Sequence, residues 1–283
     1  MKILTLIEDT RSTKKLYCEH GLSFHIELHG KTVLMDTGLT DKFARNAVKM
    51  QIDLKKLHAA VISHNHYDHT GGLEYLFKIH PEIKVFAKKD VRGNYYRKIG
   101  PFNIVICWNK HFINRHKDNF VLFSQFSEVC EGLYVMGCEV FDEANMLRDR
   151  RLLKKEGGRY VPDDFKHEIF TVAFPHKTKS GKVDRSKGCV ILSSCSHSGI
   201  VNILQTVKQT WPDSPILGVI GGFHLKRTQG DDNFIRYMAN GLSCLSDGVV
   251  YTCHCTGEKS FERLKAHMGD QLQTLSTGEE LIF

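Results

Sequence analysis

Six consecutive positions, His64 to His69 in Ser63-His64-Asn65-His66-Tyr67-Asp68-His69-Thr70-Gly71-Gly72, carry three histidines and one aspartate. They follow directly on the apolar run Ala59-Ala60-Val61-Ile62, which reads as a buried strand. Neutral imidazole is the commonest ligand for zinc and similar ions, and a carboxylate oxygen completes the donor set. In a tight turn His64 and His66 can face one ion. Asp68 and His69 then stand across from them, close enough to hold a second. Packing alone gives no reason to crowd four ligand-type residues into one turn ahead of Gly-Gly and a helical pattern. The stretch therefore predicts a divalent metal site at a strand exit.

The same design recurs down the chain. The strand Gly188 to Ser193 empties into Ser194-Cys195-Ser196-His197-Ser198-Gly199, and helical spacing follows from Ile200 to Thr210. Ile216 to Ile220 ends in Gly221-Gly222-Phe223-His224-Leu225, and Val249-Val250-Tyr251 ends in Thr252-Cys253-His254-Cys255-Thr256-Gly257. Further elements are a strand over Met1 to Ile7, a hairpin of Phe24 to Leu28 with Lys31 to Met35 around His29-Gly30, and helices over Lys42 to Met50, Leu73 to His80 and Lys259 to His267. In α/β architectures ligands sit outside strand ends, so His64, His66, His197, His224 and His254 are expected to converge on one sheet edge. From about Val91 to Pro162 the pattern weakens, and this part reads as an elaboration that lines or lids the site.

Composition bounds the rest. A chain of 283 residues, 41% hydrophobic and 25% charged, is ordinary for a globular protein with a sizeable core. Nothing approaches the roughly 18 uninterrupted apolar residues of a membrane span, and Met1 to Asp9 lacks the pattern of a signal peptide, so a cytoplasmic location and no membrane partner are expected. Nine scattered cysteines fit free, mostly buried thiols better than a disulfide framework. The net charge of +7 points to an anionic small-molecule substrate, with nucleic acid as the rival partner.

H-x-H-x-D-H behind an apolar strand resembles the signature of the metallo-β-lactamase superfamily, most of whose members are two-metal hydrolases. Within it, His20-Gly21-Leu22-Ser23, the His64–His69 motif, Ser194 to Asn202, Gly221 to Leu225 and His254 to Gly257 are similar, in order, to one subgroup. That subgroup is labelled after 7,8-dihydropterin-6-methyl-4-(β-D-ribofuranosyl)aminobenzene-5′-phosphate synthase. The resemblance implies an α/β fold, an αββα sandwich of two mixed sheets flanked by helices, formed as a single domain over residues 1–283 with an elaboration at about 91–162. It implies two divalent ions, zinc first, with manganese or iron as alternatives. His64, His66 and His197 are assigned to the first ion, and Asp68, His69 and His254 to the second.

His197 stands where the superfamily often has a bridging aspartate, which leaves the bridging group unidentified. His111, His116 and His176 are fallback ligands. Asp36, in Asp36-Thr37-Gly38, is expected to orient metal ligands. Asp68 and His224 are the catalytic candidates, with His224 as general acid or substrate hydrogen-bonder. Lys226 and Arg227 are candidates for a substrate phosphate. The expected function is a metal-dependent hydrolase or synthase acting on a phosphorylated or pterin-type small molecule. Attack of a metal-bound hydroxide on a phosphoester, as in a phosphodiesterase, is the favoured mechanism. A synthase would instead help the diphosphate of a hydroxymethyl-dihydropterin depart while an aminobenzene attacks. The rivals are a nuclease of the same superfamily and a non-catalytic metal-dependent binding protein.

Overall fold

The computed structural model describes residues 1–108, 110–146, 149–226 and 231–283. The chain opens with β1 (Lys2–Ile7), β2 (Ser23–Leu28), β3 (Lys31–Met35), α1 (Lys42–Lys49), β4 (Ala59–Val61), α2 (Tyr67–Thr70), α3 (Leu73–Ile79) and β5 (Val85–Lys88). Its middle holds β6 (Tyr95–Ile99), β7 (Phe102–Val105), α4 (Lys110–Arg115), β8 (Phe120–Phe123), β9 (Phe126–Cys130), β10 (Leu133–Met136), β11 (Leu152–Glu156) and β12 (Arg159–Pro162). It closes with β13 (Phe170–Ala173), β14 (Cys189–Ser193), α5 (Ile200–Thr210), β15 (Ile216–Gly221), α6 (Asp232–Leu245), β16 (Val249–Thr252), α7 (Glu258–Met268), β17 (Leu272–Thr274) and β18 (Glu280–Ile282).

Two seven-stranded mixed sheets pack face to face, in the orders β18-β1-β2-β3-β4-β5-β8 and β17-β16-β15-β14-β13-β10-β9. The period of two along each strand sorts its side chains into layers. In β14, Val190 and Leu192 face the other sheet, where they join Val33, Met35 and Val61, while Cys189 and Ile191 face the helical layer of α5, α6 and α7. In β3, Leu34 points the other way, toward Phe43, Ala47 and Leu76 of α1 and α3. This is an αββα sandwich, the arrangement of the metallo-β-lactamase fold. The β2–β3 hairpin turns on His29 and Gly30, both with positive φ (49° and 77°), which matches the right-handed twist of the flanking strands.

Strands β3, β4, β5 and β8 run parallel in one sheet and β14 to β17 in the other, so their C-terminal ends open on one edge. Within 91–162, β8, β9 and β10 belong to the two large sheets. Only β6, β7, β11 and β12 form a separate four-stranded sheet. Helix α6 is absent from the expectations above. Its buried Ile235, Met238, Ala239 and Leu242 nonetheless follow helical spacing, and the Asp231 carboxylate caps it by accepting from Phe234 N at 2.8 Å. Among the described residues no helix is long and apolar enough to cross a membrane.

Candidate metal centre

The chain leaves β4 at Ile62 and turns through Ser63 to His66, the residue preceding α2, so His64 and His66 project to one side. The turn after β14 brings His197 to them. The ring centroids lie 4.6 Å apart for His64–His66, 4.9 Å for His64–His197 and 5.3 Å for His66–His197. Beside this set, Asp68 Oδ2 lies 3.7 Å from His69 Nε2 and 3.5 Å from His254 Nε2. The rings of His64 and His69 are 4.2 Å apart, so the two sets adjoin. The structure thus brings together all six residues expected to ligate metal.

The hydrogen bonds around these rings prepare them to bind cations. Ser63 Oγ donates its one proton to Asp36 Oδ2 at 2.6 Å, so the 2.9 Å contact between Ser63 Oγ and His64 Nδ1 requires the imidazole to donate. His69 Nδ1 donates to Asp36 Oδ2 at 2.8 Å, and His254 Nδ1 to Asp9 Oδ1 at 2.7 Å. Each Nε2 lone pair then faces inward, the arrangement outer carboxylates impose on metal-binding histidines. The Nε2 atoms of His64, His66, His197 and His254 are buried and have no hydrogen-bond partner among the described residues. Buried polar atoms without partners are rare, and here they share one spot lined by a carboxylate. The donor set fits two divalent ions.

Asp36 ties the centre together, accepting also from Ser63 N at 2.8 Å and Ser194 Oγ at 2.6 Å, the latter from the opposite sheet. Two further buried carboxylates hold the turns. Glu168 accepts from His197 N (2.7 Å) and Ser198 N (2.8 Å), and Glu8 accepts from His254 N (2.6 Å). Such clamps are needed because Asp36, Ser196, His224 and His254 all adopt left-handed backbone, with φ between 50° and 60°. That conformation costs a non-glycine residue on the order of 1 kcal/mol and persists only where the surroundings enforce it.

Electrostatics divides the two sets. Burial pushes the imidazoles of His64 and His197 well below the usual range and that of His66 down to about 3, so these rings stay neutral. For His69 and His254 burial acts in the same direction, but neighbouring carboxylates outweigh it and hold both above the usual range. Asp68 and Asp36 act on His69, and Asp68 and Asp9 on His254. Burial also works against ionisation of Asp68, yet His69 and His254 hold it well below the usual carboxylate range.

The centre forms one wall of a cavity of about 220 Å³. His224 lines it, its ring 4.2 Å from that of His197, and Arg97, Ile106, Asp149 and Leu152 come from the region of the four-stranded sheet. Lys226 also reaches the cavity, with Nζ 2.9 Å from Asp9 Oδ2, while Arg227 lies outside the described residues. His111 and His176 are exposed and His116 stacks on Phe77 at 4.5 Å, so none of these three joins the centre. Cys253 and Cys255 are buried thiols, and Cys255 stands beside Cys195 and His224.

Several residues at the centre had no role assigned from sequence. His20 stacks on His254 at 4.7 Å and places Nε2 3.4 Å from Asp68 Oδ2, and Asp9 orients His254. The signal for His20 was the His20-Gly21-Leu22-Ser23 motif itself. Leu22 N donates to Asp68 O at 3.2 Å, Ser23 Oγ donates to Asp36 O at 2.8 Å, and a Cβ on Gly21 would stand 2.7 Å from Asp68 O. His167 and Asp163, paired at 3.1 Å, approach His66 from the far side.

Comparisons with known proteins agree with this fold. The sequence profile of the metallo-β-lactamase superfamily matches residues 16–92. A Methanocaldococcus jannaschii protein named 7,8-dihydropterin-6-methyl-4-(β-D-ribofuranosyl)-aminobenzene-5′-phosphate synthase is 29% identical over 297 aligned positions, covering 100% of this chain and 97% of the relative. An uncharacterised protein of the same organism is 27% identical over 273 positions, covering 93% of each. A crystal structure described as a metal-dependent hydrolase of the β-lactamase superfamily superimposes with a TM-score of 0.82 at 26% identity, covering 100% of this chain and 99% of the other. Fold, profile and relatives agree in what this chain resembles, the metallo-β-lactamase superfamily.

Proposed function

We propose that this protein is a two-metal enzyme that breaks a bond to a phosphate or diphosphate group on a small molecule. The observation carrying this reading is that two adjoining sets of inward-facing ligands form the wall of one small cavity, whose other walls bear Arg97, Lys226 and His224. His64, His66 and His197 would hold one ion, and Asp68, His69 and His254 the other. When bound, such ions acidify water and neutralise charge on phosphoryl oxygens. The chain's own residues do the rest. Arg97 and Lys226 attract the anion, Asp68 stays ionised beside its two histidines, and His224 stands where it can give a proton to a departing oxygen. A cavity of about 220 Å³ suits a small substrate better than a polynucleotide.

Hydrolysis of a phosphoester is the first reading. The full-length similarity to the M. jannaschii synthase supports a second. There an arylamine nitrogen would bond to the methylene carbon of a dihydropterin as the carbon–oxygen bond to diphosphate breaks, the amine proton leaving with it. The first test is turnover of a simple aryl phosphodiester by protein loaded with zinc, then manganese, alongside His66→Ala. Turnover lost in the variant supports the hydrolase. No turnover with both ions bound rejects it and directs the assay to dihydropterin diphosphate and an arylamine.

A further inference from the structure

We infer that the sulfur of Cys195 is the ligand shared by the two ions, taking the place of a bridging carboxylate. This rests on the two-ion reading above. Its Sγ belongs to three groups of ligand atoms, each mutually within 4.8 Å, one with His64 and His197, one with His69 and His254, and one with His224 and Cys255. The first two belong to the two metal sets and share no other atom. It lies 3.2 Å from His69 Nε2, and the residue is buried. An ordinary buried cysteine packs as a small apolar group. This one has imidazoles around it.

The turn carrying it is built to aim it. Ser194 Oγ is tied to Asp36 Oδ2 at 2.6 Å, and Ser196 donates to Gly222 O at 2.8 Å and lies 2.9 Å from Ser193 Oγ, so Cys195 projects into the centre between two anchored residues. A Cβ on Gly222 would collide with the sulfur of Cys255 and stand 2.8 Å from Ser194 O, so glycine there lets the turns after β14, β15 and β16 close on one another.

The nearby carboxylates are engaged elsewhere. Asp36 accepts from Ser63, His69 and Ser194, Glu168 holds the backbone of His197 and Ser198, Asp9 orients His254, and Asp163 pairs with His167. Besides Asp68, no carboxylate among these is placed between the two sets. On coordination the thiol loses its proton to solvent, and the thiolate donates one lone pair to each ion. Thiolate favours zinc, cobalt and ferrous iron over magnesium and manganese, so the bridge also narrows the metals the centre retains.

The test uses the full chain reconstituted with cobalt(II), read by metal stoichiometry and by sulfur-to-cobalt charge-transfer absorption in the near ultraviolet. The wild type should bind two equivalents and show the band. Cys195→Ser should lose the band and bind the second equivalent at least tenfold more weakly, with its circular dichroism unchanged. Cys195→Asp should regain two equivalents without the band, and Cys255→Ser should keep both. Two equivalents with no band in the wild type, or a band that survives in Cys195→Ser, overturns the bridge and leaves the two-ion reading standing. Fewer than two equivalents in the wild type overturns that reading as well.

Discussion

Asp9 accepts a 2.7 Å hydrogen bond from Nδ1 of His254, a residue 245 positions further along the chain. The bond joins the loop after β1 to the turn after β16, one from each sheet, and fixes which nitrogen of His254 faces Asp68. Asp36 does the same for His69. The centre is therefore set by its outer carboxylates as much as by its ligands.

Removing the outer partner should weaken the metal without unfolding the protein. Asp9→Ala should lower affinity at the Asp68–His69–His254 set by about 10- to 100-fold, the usual cost of losing such a partner. Competition with a chromophoric chelator measures it, and an unchanged affinity would remove Asp9 from the site.

Acid should empty the two sets in order. His69 and His254 are held above the ordinary imidazole range in the metal-free protein, so protons already compete with metal there before pH falls to the usual histidine range. His64, His66 and His197 are held below it, so protons compete with metal only at lower pH. Metal content followed down a pH series should drop from two equivalents toward one before reaching none. Loss from the His64–His66–His197 set first would contradict this.

Asp36→Ala should be among the most destabilising single changes available. It strands Ser63 N, Ser63 Oγ, His69 Nδ1 and Ser194 Oγ, all buried. With each unmade buried bond costing about 1–3 kcal/mol, a loss of about 3 kcal/mol or more is expected. Denaturant unfolding of the metal-free protein isolates the effect, and a loss below about 1 kcal/mol would refute the hub role.

Gly72 lets α3 start against the end of β3, where a Cβ would collide with Thr37 O and the ring of Phe43. Gly72→Ala should cost about 1–3 kcal/mol by overpacking and reduce metal occupancy, as the shift reaches Asp68 and His69. Thermal unfolding with metal analysis checks both. Neutral stability would mean the backbone yields freely here.

His224→Ala should lower kcat far more than metal content, because its ring lines the cavity outside both ligand sets. An equal loss of metal would make it a ligand.

The candidate ligands were legible because donor side chains for a metal crowd together locally. Four of the six crowd into Ser63 to Gly72, and His197 and His254 each follow an apolar strand in a turn of small residues. The hairpin at His29-Gly30 and helix α5 were legible for the same local reasons. The supporting groups were not. Nothing near Asp9 in sequence points to His254, nor anything near Glu168 to the backbone of Ser198, because those bonds exist only once both sheets have packed. Cys195 stands two residues before His197, which makes it a candidate for contact with the site, but only the packed turns place its sulfur between two histidine pairs. Helix α6 is the exception, missing from the expectations although its apolar residues follow helical spacing.

Anomalous diffraction from crystals of the zinc-loaded protein, recorded at the zinc absorption edge, tests the central claim most directly. Two peaks should appear, one enclosed by His64, His66 and His197 and the other by Asp68, His69 and His254, with the sulfur of Cys195 between them. A single peak, or one seated among His66, Asp163 and His167 instead, would contradict the two-ion centre on which the proposed chemistry depends.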